Sequence, residues 1–327
     1  MLILSGAEVR RLLSYPECIE AMRTVLIASA RGDADQPLRT VLRPAGAAGL
    51  MALMPSYLRG ESGAYGLKAI CVTPANPAAG LDAHQGIVLL SSALTGEPLA
   101  VLNASAVTEI RTAAVSAVAT ELLARPDAGV LAIIGTGVQA RAHLRAIGGS
   151  RPLAEIRVAG RSQAKAAAFA EKVRDEATAP VIACACARDA VAGAGLIVTA
   201  TSSAAPVLER GWLADGTHVN AVGASVPTAR ELDSATMADA ALFADSRESV
   251  ASESGDFLMA RADGVIGPDH VRAELGEILT GTADGRRDQR EITVFDSLGI
   301  DPRKQLVTPD GRPVEILDQG ELVKELF

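Results

Sequence analysis

The stretch VLAIIGTGVQARAHL, Val130 to Leu144, decides the fold. Five apolar residues run into Gly135-Thr136-Gly137, after which small and apolar side chains recur at helical spacing. The pattern predicts a strand that turns sharply on glycine into a helix. Gly135-x-Gly137-x-x-Ala140 fits the G-x-G-x-x-G/A fingerprint of dinucleotide sites, and it stands between strand and helix as the physics requires. The first glycine permits the turn, the second lets a pyrophosphate approach the backbone, and Ala140 lets helix and strand pack closely. Free N–H groups at the helix start then face the anion. Thr136, Val138 and Gln139 are candidate cofactor contacts on the same turn.

Downstream the text alternates: EIRVAG, AKAAAFAEKV, PVIACA, GLIVTATSS, THVNAVG and ALFADS. Alternation of strand and helix predicts an α/β fold with a Rossmann-type doubly wound parallel sheet. At the end of the second strand an acid would bind the ribose 2′-hydroxyl of NAD. The chain offers Gly160-Arg161-Ser162 instead, and Arg161 with the Ser162 hydroxyl suits a 2′-phosphate, so NADPH is expected over NADH.

Upstream the reading changes. SYPECIEAMRTVLIASA, from Ser14, predicts a helix with Pro16 in its first turn. LRTVLRP, GLMALMPSYL, AYGLKAICVT and GIVLLSSALTGEPLAVLNA follow as β-rich pieces divided by turn residues. A long helix is expected to begin near Ser105 or Thr108, run through TEIRTAAVSAVATELLA, and stop before Pro126 as the joint between two domains. These are residues 1–124, an α+β unit, and 125–299, the dinucleotide unit. Residues 300–327, with an Asp310-Gly311 turn between short β-like runs, are open to returning to the first.

A length of 327 residues suits two domains and the cleft between them. The apolar share of 49% and charged share of 21% are those of a soluble globular chain. The net charge of -8 comes with scattered basic residues, and with five Phe, three Tyr and one Trp there is no stacking platform, so nucleic acid is excluded as a partner. Cys18, Cys71, Cys184 and Cys186 have neither disulfide-framework nor zinc spacing, no basic segment precedes the apolar N-terminal residues, and no run nears the roughly 18 apolar residues of a membrane span. A cytoplasmic protein without a membrane partner is the expectation. The four histidines lack metal-ligand spacing; His84, in a loop entering a strand, is the one taken as a site candidate. Neither a G-x-S-x-G elbow nor a convincing carboxylate pair supports a hydrolase.

Three cations stand in apolar company. A period of two puts Lys68 on a strand face with Gly66, Ile70 and Val72, and lysines are scarce, five against 26 arginines. Arg111 shares a helix face with Val115, Val118 and Leu122. Arg39 opens a strand beside Val41. A buried unpaired charge costs several kcal/mol, so each needs an anion: a structural acid such as Glu109, or one substrate carboxylate serving all three. Convergence on the domain junction favours the carboxylate. Met51, Met54 and Tyr57 are candidates for the pocket wall.

QPLRTV, GLKAI, VTEIRTAAVSAVAT, IIGTGVQARAHL, NAVGASVPTARELD, ADSRES, SGDF, AELGEIL and TVFDSLG, in this order, resemble the ornithine cyclodeaminase and mu-crystallin family over almost all of residues 1–300. The resemblance implies a Rossmann domain joined to a substrate domain that also forms the homodimer interface. It implies NAD(P)H in the cleft, with Arg39, Lys68 and Arg111 on the substrate carboxylate. Thr112, Thr201, Ser202, Val222, Gly223 and Ser297 are implied as further cofactor contacts. Cyclodeaminases carry an aspartate where this chain has Ser225, taken here as a substrate-facing residue that cannot act as a carboxylate. The chain is in that respect similar to the ketimine reductase branch.

The expected function is NADPH-dependent reduction of a small cyclic imine-2-carboxylate such as Δ1-pyrroline- or Δ1-piperideine-2-carboxylate, Lys68 and Arg111 being the catalytic pair. Alanine dehydrogenase and ornithine cyclodeaminase are the alternatives within the enzymes. A non-catalytic NADPH- and ligand-binding protein is the alternative outside them.

Overall fold

The computed structural model describes residues 1–60 and 63–298. In chain order its first part holds β1 (Leu2–Leu4), α1 (Gly6–Leu12), α2 (Tyr15–Ala30), β2 (Ala34–Asp35), β3 (Thr40–Leu42), β4 (Leu50–Leu58), β5 (Ala64–Val72), β6 (His84–Ser92) and β7 (Pro98–Asn103). These strands form one sheet in the order β1-β7-β6-β5-β4-β2, with β3 on β4; only the β1–β7 pairing is parallel. Strand β1 and helix α1 lie ahead of the expected first helix. Each of the first two helices is started by a serine and a glutamate in a reciprocal capping box, Ser5 with Glu8 and Ser14 with Glu17.

Helix α3 (Ala104–Leu123) starts where the Asn103 side chain accepts the N–H of Ala106 at 3.0 Å. It ends ahead of Pro126, as expected. Arg111 is buried with Val115 and Val118, as the face reading expects. Both Val115 and Val118 are fully buried, but so is nearly every residue from Ala104 to Thr120, so Arg111 is enclosed whichever way it points. A helix buried nearly all round is a core element, and helical periodicity cannot rank its faces.

The second part runs β8 (Val130–Ile134), α4 (Val138–Ser150), β9 (Glu155–Ala159), α5 (Gln163–Val173), β10 (Val181–Ala183), α6 (Ala187–Val191), β11 (Leu196–Thr199) and β12 (His218–Ala221). It continues with α7 (Ser234–Asp239), β13 (Ala241–Ala244), α8 (Arg247–Glu253), α9 (Gly255–Ala262), β14 (Val271–Glu274), α10 (Leu275–Leu279) and β15 (Thr293–Asp296). The eight strands pair in parallel in the order β10-β9-β8-β11-β12-β15-β13-β14. This is the doubly wound sheet expected. Strand order reverses between β8 and β11, and at such a switch point the loops at the carboxyl ends of the strands diverge and open a crevice.

Helix α3 joins the two sheets into a continuous apolar core that includes Val115 and Val118 with Phe243 and Phe295 of the second sheet. Polar ties fix the junction: Asn220 Nδ2 donates to Thr120 Oγ1 at 2.9 Å, and His143 Nε2 meets Ser116 Oγ at 2.9 Å. The expected segment 300–327 lies outside the described residues. Among the described residues no helix is long and apolar enough to cross a membrane.

Candidate active site

The glycine turn sits at the switch point. Gly135 has φ of 131°, and a Cβ there would meet the Ala200 carbonyl oxygen at 2.4 Å, so the loop after β11 presses directly on the turn. Gly137 is different: a Cβ there would meet nothing within 4 Å. It is the N-cap of α4 and offers no side-chain acceptor, which leaves the first N–H groups of a 13-residue helix turned outward. An uncovered helix start beside a glycine with open space fits a pyrophosphate. Thr136 packs on the next turn, its Cγ2 at 2.9 Å from where a Gly160 Cβ would lie. Arg161 and Ser162 follow there, exposed at the end of β9 and outside the cavity wall. The Ser162 hydroxyl has a local task, accepting the Lys165 N–H at 3.3 Å as the cap of α5.

Beside the turn a cavity of about 600 Å³ opens between the two sheets. From the first sheet it receives Arg39, Met54, Lys68 and His84, and from α3 Arg111 and Thr112. The second sheet's loops supply Gly137, Val138 and Gln139 after β8, and Thr201 and Ser202 after β11. Val222, Gly223 and Ser225 after β12 and Ser297 after β15 complete that wall. Met51 and Tyr57 do not reach it. On β4 they alternate with Ala52 and Met54 and point to the sheet's other face.

Lys68 is 3% exposed and Arg111 8%. Arg111 Nε and Nη1 are buried without a hydrogen-bond partner. Burial pulls the Arg111 pKa down to about 10; the buried carboxylate of Asp245 pushes it back up, and Arg39 pushes it further down. His84 stands on the exposed rim, where loss of water on its cavity side, then Lys68 and Arg111, lower its pKa against the opposing charge of Asp82.

Arg39 departs from expectation. It is held by a structural acid, and that acid is Glu253 of α8: Nε reaches Oε1 at 2.7 Å and Nη2 reaches Oε2 at 2.5 Å. Glu109, the partner expected among the acids, binds Arg10 at 2.9 Å. The cation trio therefore meets at one cavity, but with Arg39 already neutralised.

Sequence reading missed the acids behind the second sheet's side of the wall. Glu231, fully buried, accepts the N–H of Thr201 at 2.6 Å with one oxygen and the N–H of Gly223 at 2.6 Å with the other. Asp256 in turn accepts the N–H groups of Glu231 and Leu232 at 2.8 and 2.9 Å. Burial raises the pKa of Glu231, and that of Asp256 to about 7, against these N–H groups. Asp296, beside the wall residue Ser297, accepts from the Ser254 hydroxyl at 2.6 Å. Their only signal in the sequence is charge within otherwise apolar segments, such as SGDF and TVFDSLG. Gln139 Oε1 and Ser297 Oγ are buried at the cavity without partners, as groups awaiting a polar ligand are.

The family model of the ornithine cyclodeaminase/mu-crystallin family matches residues 1–302. The chain belongs to this family. It is 38% identical over 301 residues to a Δ1-pyrroline-2-carboxylate reductase of Bacillus cereus, covering 92% of each chain. Among solved structures it is similar to Thermococcus litoralis Δ1-pyrroline-2-carboxylate reductase in complex with NADH and L-proline, with a TM-score of 0.89 and 37% identity over 93% of this chain and 94% of that one. An archaeal alanine dehydrogenase dimer with bound NAD has a TM-score of 0.85 and 33% identity, covering 93% and 92%.

Proposed function

We propose that this chain is an NAD(P)H-dependent reductase of small cyclic imine-2-carboxylates, Δ1-pyrroline-2-carboxylate being the first candidate. One observation carries the reading: Lys68, 3% exposed, and Arg111, 8% exposed and with Nε and Nη1 unpartnered, both line a cavity whose opposite side fits a dinucleotide. The buried Asp245 carboxylate offsets part of this charge, yet burial still holds the Arg111 pKa below its ordinary value, so a further anion at the cavity stabilises the arrangement. The substrate carboxylate takes that place, with Lys68 adding charge from β5. The relatives named for this reaction are similar over nine-tenths of the chain.

A bound reduced nicotinamide supplies the hydride. The chain's own residues do the rest. Arg111 fixes the carboxylate through a charge-assisted N–H bond and so sets the imine carbon at one place, and orientation of this kind supplies much of the rate of such a step. Lys68 keeps the imine nitrogen side positive and is the acid from which the nitrogen takes its proton. Arg39 stands in the same cavity wall on its ion pair with Glu253 and adds to the carboxylate side of the site. By the family resemblance Ser225 takes the place of a cyclodeaminase's aspartate, and a hydroxyl there cannot act as that carboxylate, which favours imine reduction.

Arg161 and the hydroxyl proton of Ser162 favour NADPH over NADH, since a 2′-phosphate at the end of β9 meets a cation and no acid. A homodimer is supported by the outer face of the first sheet. Ile3, Leu99, Ile87, Tyr65 and Met51 share that face by register, and they are 60, 43, 48, 52 and 40% exposed. Its contiguous apolar surface suits a second copy. Four unpaired cysteines among the described residues fit the reducing cytoplasm.

The test is steady-state NADPH oxidation with Δ1-pyrroline-2-carboxylate. Turnover is expected, and Arg111→Gln should lower kcat/KM by roughly 100- to 1000-fold while NADPH binding, followed by fluorescence, survives. Faster turnover of pyruvate with ammonia, or none on any cyclic imine, would reverse the reading.

A further inference from the structure

Lys68 gives up a proton in every cycle of the reaction proposed above, and it is only 3% exposed. That proton has to be replaced from water, so the cavity wall must offer it a way in. Most charged groups of the wall are unsuited. Glu109 is bound to Arg10 and Glu253 to Arg39, and Arg111, with a pKa of about 10, keeps its own proton. Asp82 is a carboxylate, a class that holds no proton near neutrality. Apart from Lys68, His84 alone among the described wall residues belongs to a class that exchanges protons there.

The sheet joins the two. In the register of β5 and β6, Lys68 faces Val88, Ile70 faces Gly86 and Val72 faces His84, so Lys68 and His84 rise from one face, the one that lines the cavity. Gly86, between His84 and Val88 on that face, adds no side chain to the gap. His84 is exposed where Lys68 is buried, and so meets both water and the cavity. The Ser105 hydroxyl of α3 donates to the His84 carbonyl and holds this end of β6 at the rim. Burial, and then the charges of Lys68 and Arg111, keep the ring weakly basic, so a proton it takes up is passed on and not retained.

We propose that His84 is the proton inlet of the site, taking protons from water and passing them to Lys68. The inference rests on the imine-carboxylate reading and adds a residue to it. The reduced cofactor supplies the hydride to the imine carbon. As the C=N π electrons move onto nitrogen, the nitrogen takes a proton from the Lys68 ammonium and leaves a neutral amine. The protonated His84 ring returns a proton to that amine, directly or through one water, and recovers its own from solvent. One proton from water is consumed for each imine reduced.

The first arm of the test needs no turnover. In the full chain without cofactor, the NMR titration of the His84 ring should move to higher pH in Lys68→Met, as it must if the two groups share the cavity. The second arm follows NADPH oxidation with Δ1-pyrroline-2-carboxylate by stopped flow in dilute, bulky buffer. His84→Ala should lower kcat about tenfold or more and leave the KM for the imine within about twofold. A burst of about one NADPH per site should precede the slow steady state, because Lys68 starts charged and is recharged slowly. Added imidazole should restore most of the lost kcat and saturate in doing so. His84→Gln should show the same loss and rescue, and either folded variant reads the result. A His84 titration unmoved by Lys68→Met, a rise in KM in place of the fall in kcat, or a loss that imidazole does not restore overturns the inlet. A wild type inactive on every cyclic imine overturns the imine-carboxylate reading itself, which separates the two failures.

Discussion

Gly135 and Gly137 stand two residues apart and are required for different reasons. Gly135 is a demand of the fold, since its φ of 131° and the Ala200 oxygen at 2.4 Å from any Cβ exclude a side chain. Gly135→Ala should therefore cost about 2–4 kcal/mol of stability in chemical denaturation. Gly137, with open space around it, answers to the ligand on the proposed reading: Gly137→Ala should alter stability by less than about 0.5 kcal/mol, yet raise the dissociation constant of the nicotinamide cofactor roughly tenfold or more, because the methyl group would stand in the path of a pyrophosphate. His143 makes a different test of single-residue physics. Buried between the Gln139 carbonyl at 2.8 Å and Ser116 Oγ at 2.9 Å, it is driven down to a pKa of about 4 chiefly by burial, with the Gln139 hydrogen bond opposing and Arg111 assisting. Between the ordinary histidine pKa and that value the unfolded chain binds a proton the folded one refuses. Stability should thus be flat above about pH 6.5 and fall toward pH 4, by up to a few kcal/mol from this group, and His143→Gln should flatten that limb in urea melts taken across the range.

Among the elements, the loops after β11 and β12 owe their placement to Glu231, which is bonded to both through backbone N–H groups at 2.6 Å. A Cβ at Gly223 would lie 2.6 Å from the Glu231 carboxyl carbon, so the clip closes only because that residue is glycine. Glu231→Gln turns one acceptor into a donor facing an N–H group. The expected result is a cofactor dissociation constant raised about tenfold, since two cavity-lining loops lose a shared anchor. Nothing in TARELD announces this task. The carboxylate's partners, Thr201 and Gly223, are 30 and 8 residues away in sequence and are brought together only by adjacent strands of the second sheet. Helix α3 teaches the complementary lesson, for its existence and its end at Pro126 were legible from propensity and proline, whereas its burial on all sides was not.

At the scale of the whole molecule, the first sheet turns one face to α3 and leaves the other apolar and open. Lys68 and Tyr65 lie on opposite faces of β5, one 3% and the other 52% exposed. If the open face seats a second copy, Ile87→Lys with Tyr65→Asp should shift the chain to a monomer in analytical ultracentrifugation without removing NADPH binding, because the glycine turn lies in the other sheet. Such a patch is worth about 25 cal/mol per Å² buried, and two charges at its centre remove the driving force.

The sequence by itself determined the parallel sheet, the glycine turn and the burial of Lys68 and Arg111. Each of these follows from local regularities: strand–helix alternation, a glycine fingerprint between two periodic segments, and cations at positions whose neighbours are apolar. Only the tertiary structure decided who neutralises whom. Arg39 met Glu253 from 214 residues away and Glu109 went to Arg10 across 99, and no spacing rule reaches so far. Ion pairs are fixed by how elements pack, because a charge in a low-dielectric interior takes whichever opposite charge the fold delivers to it.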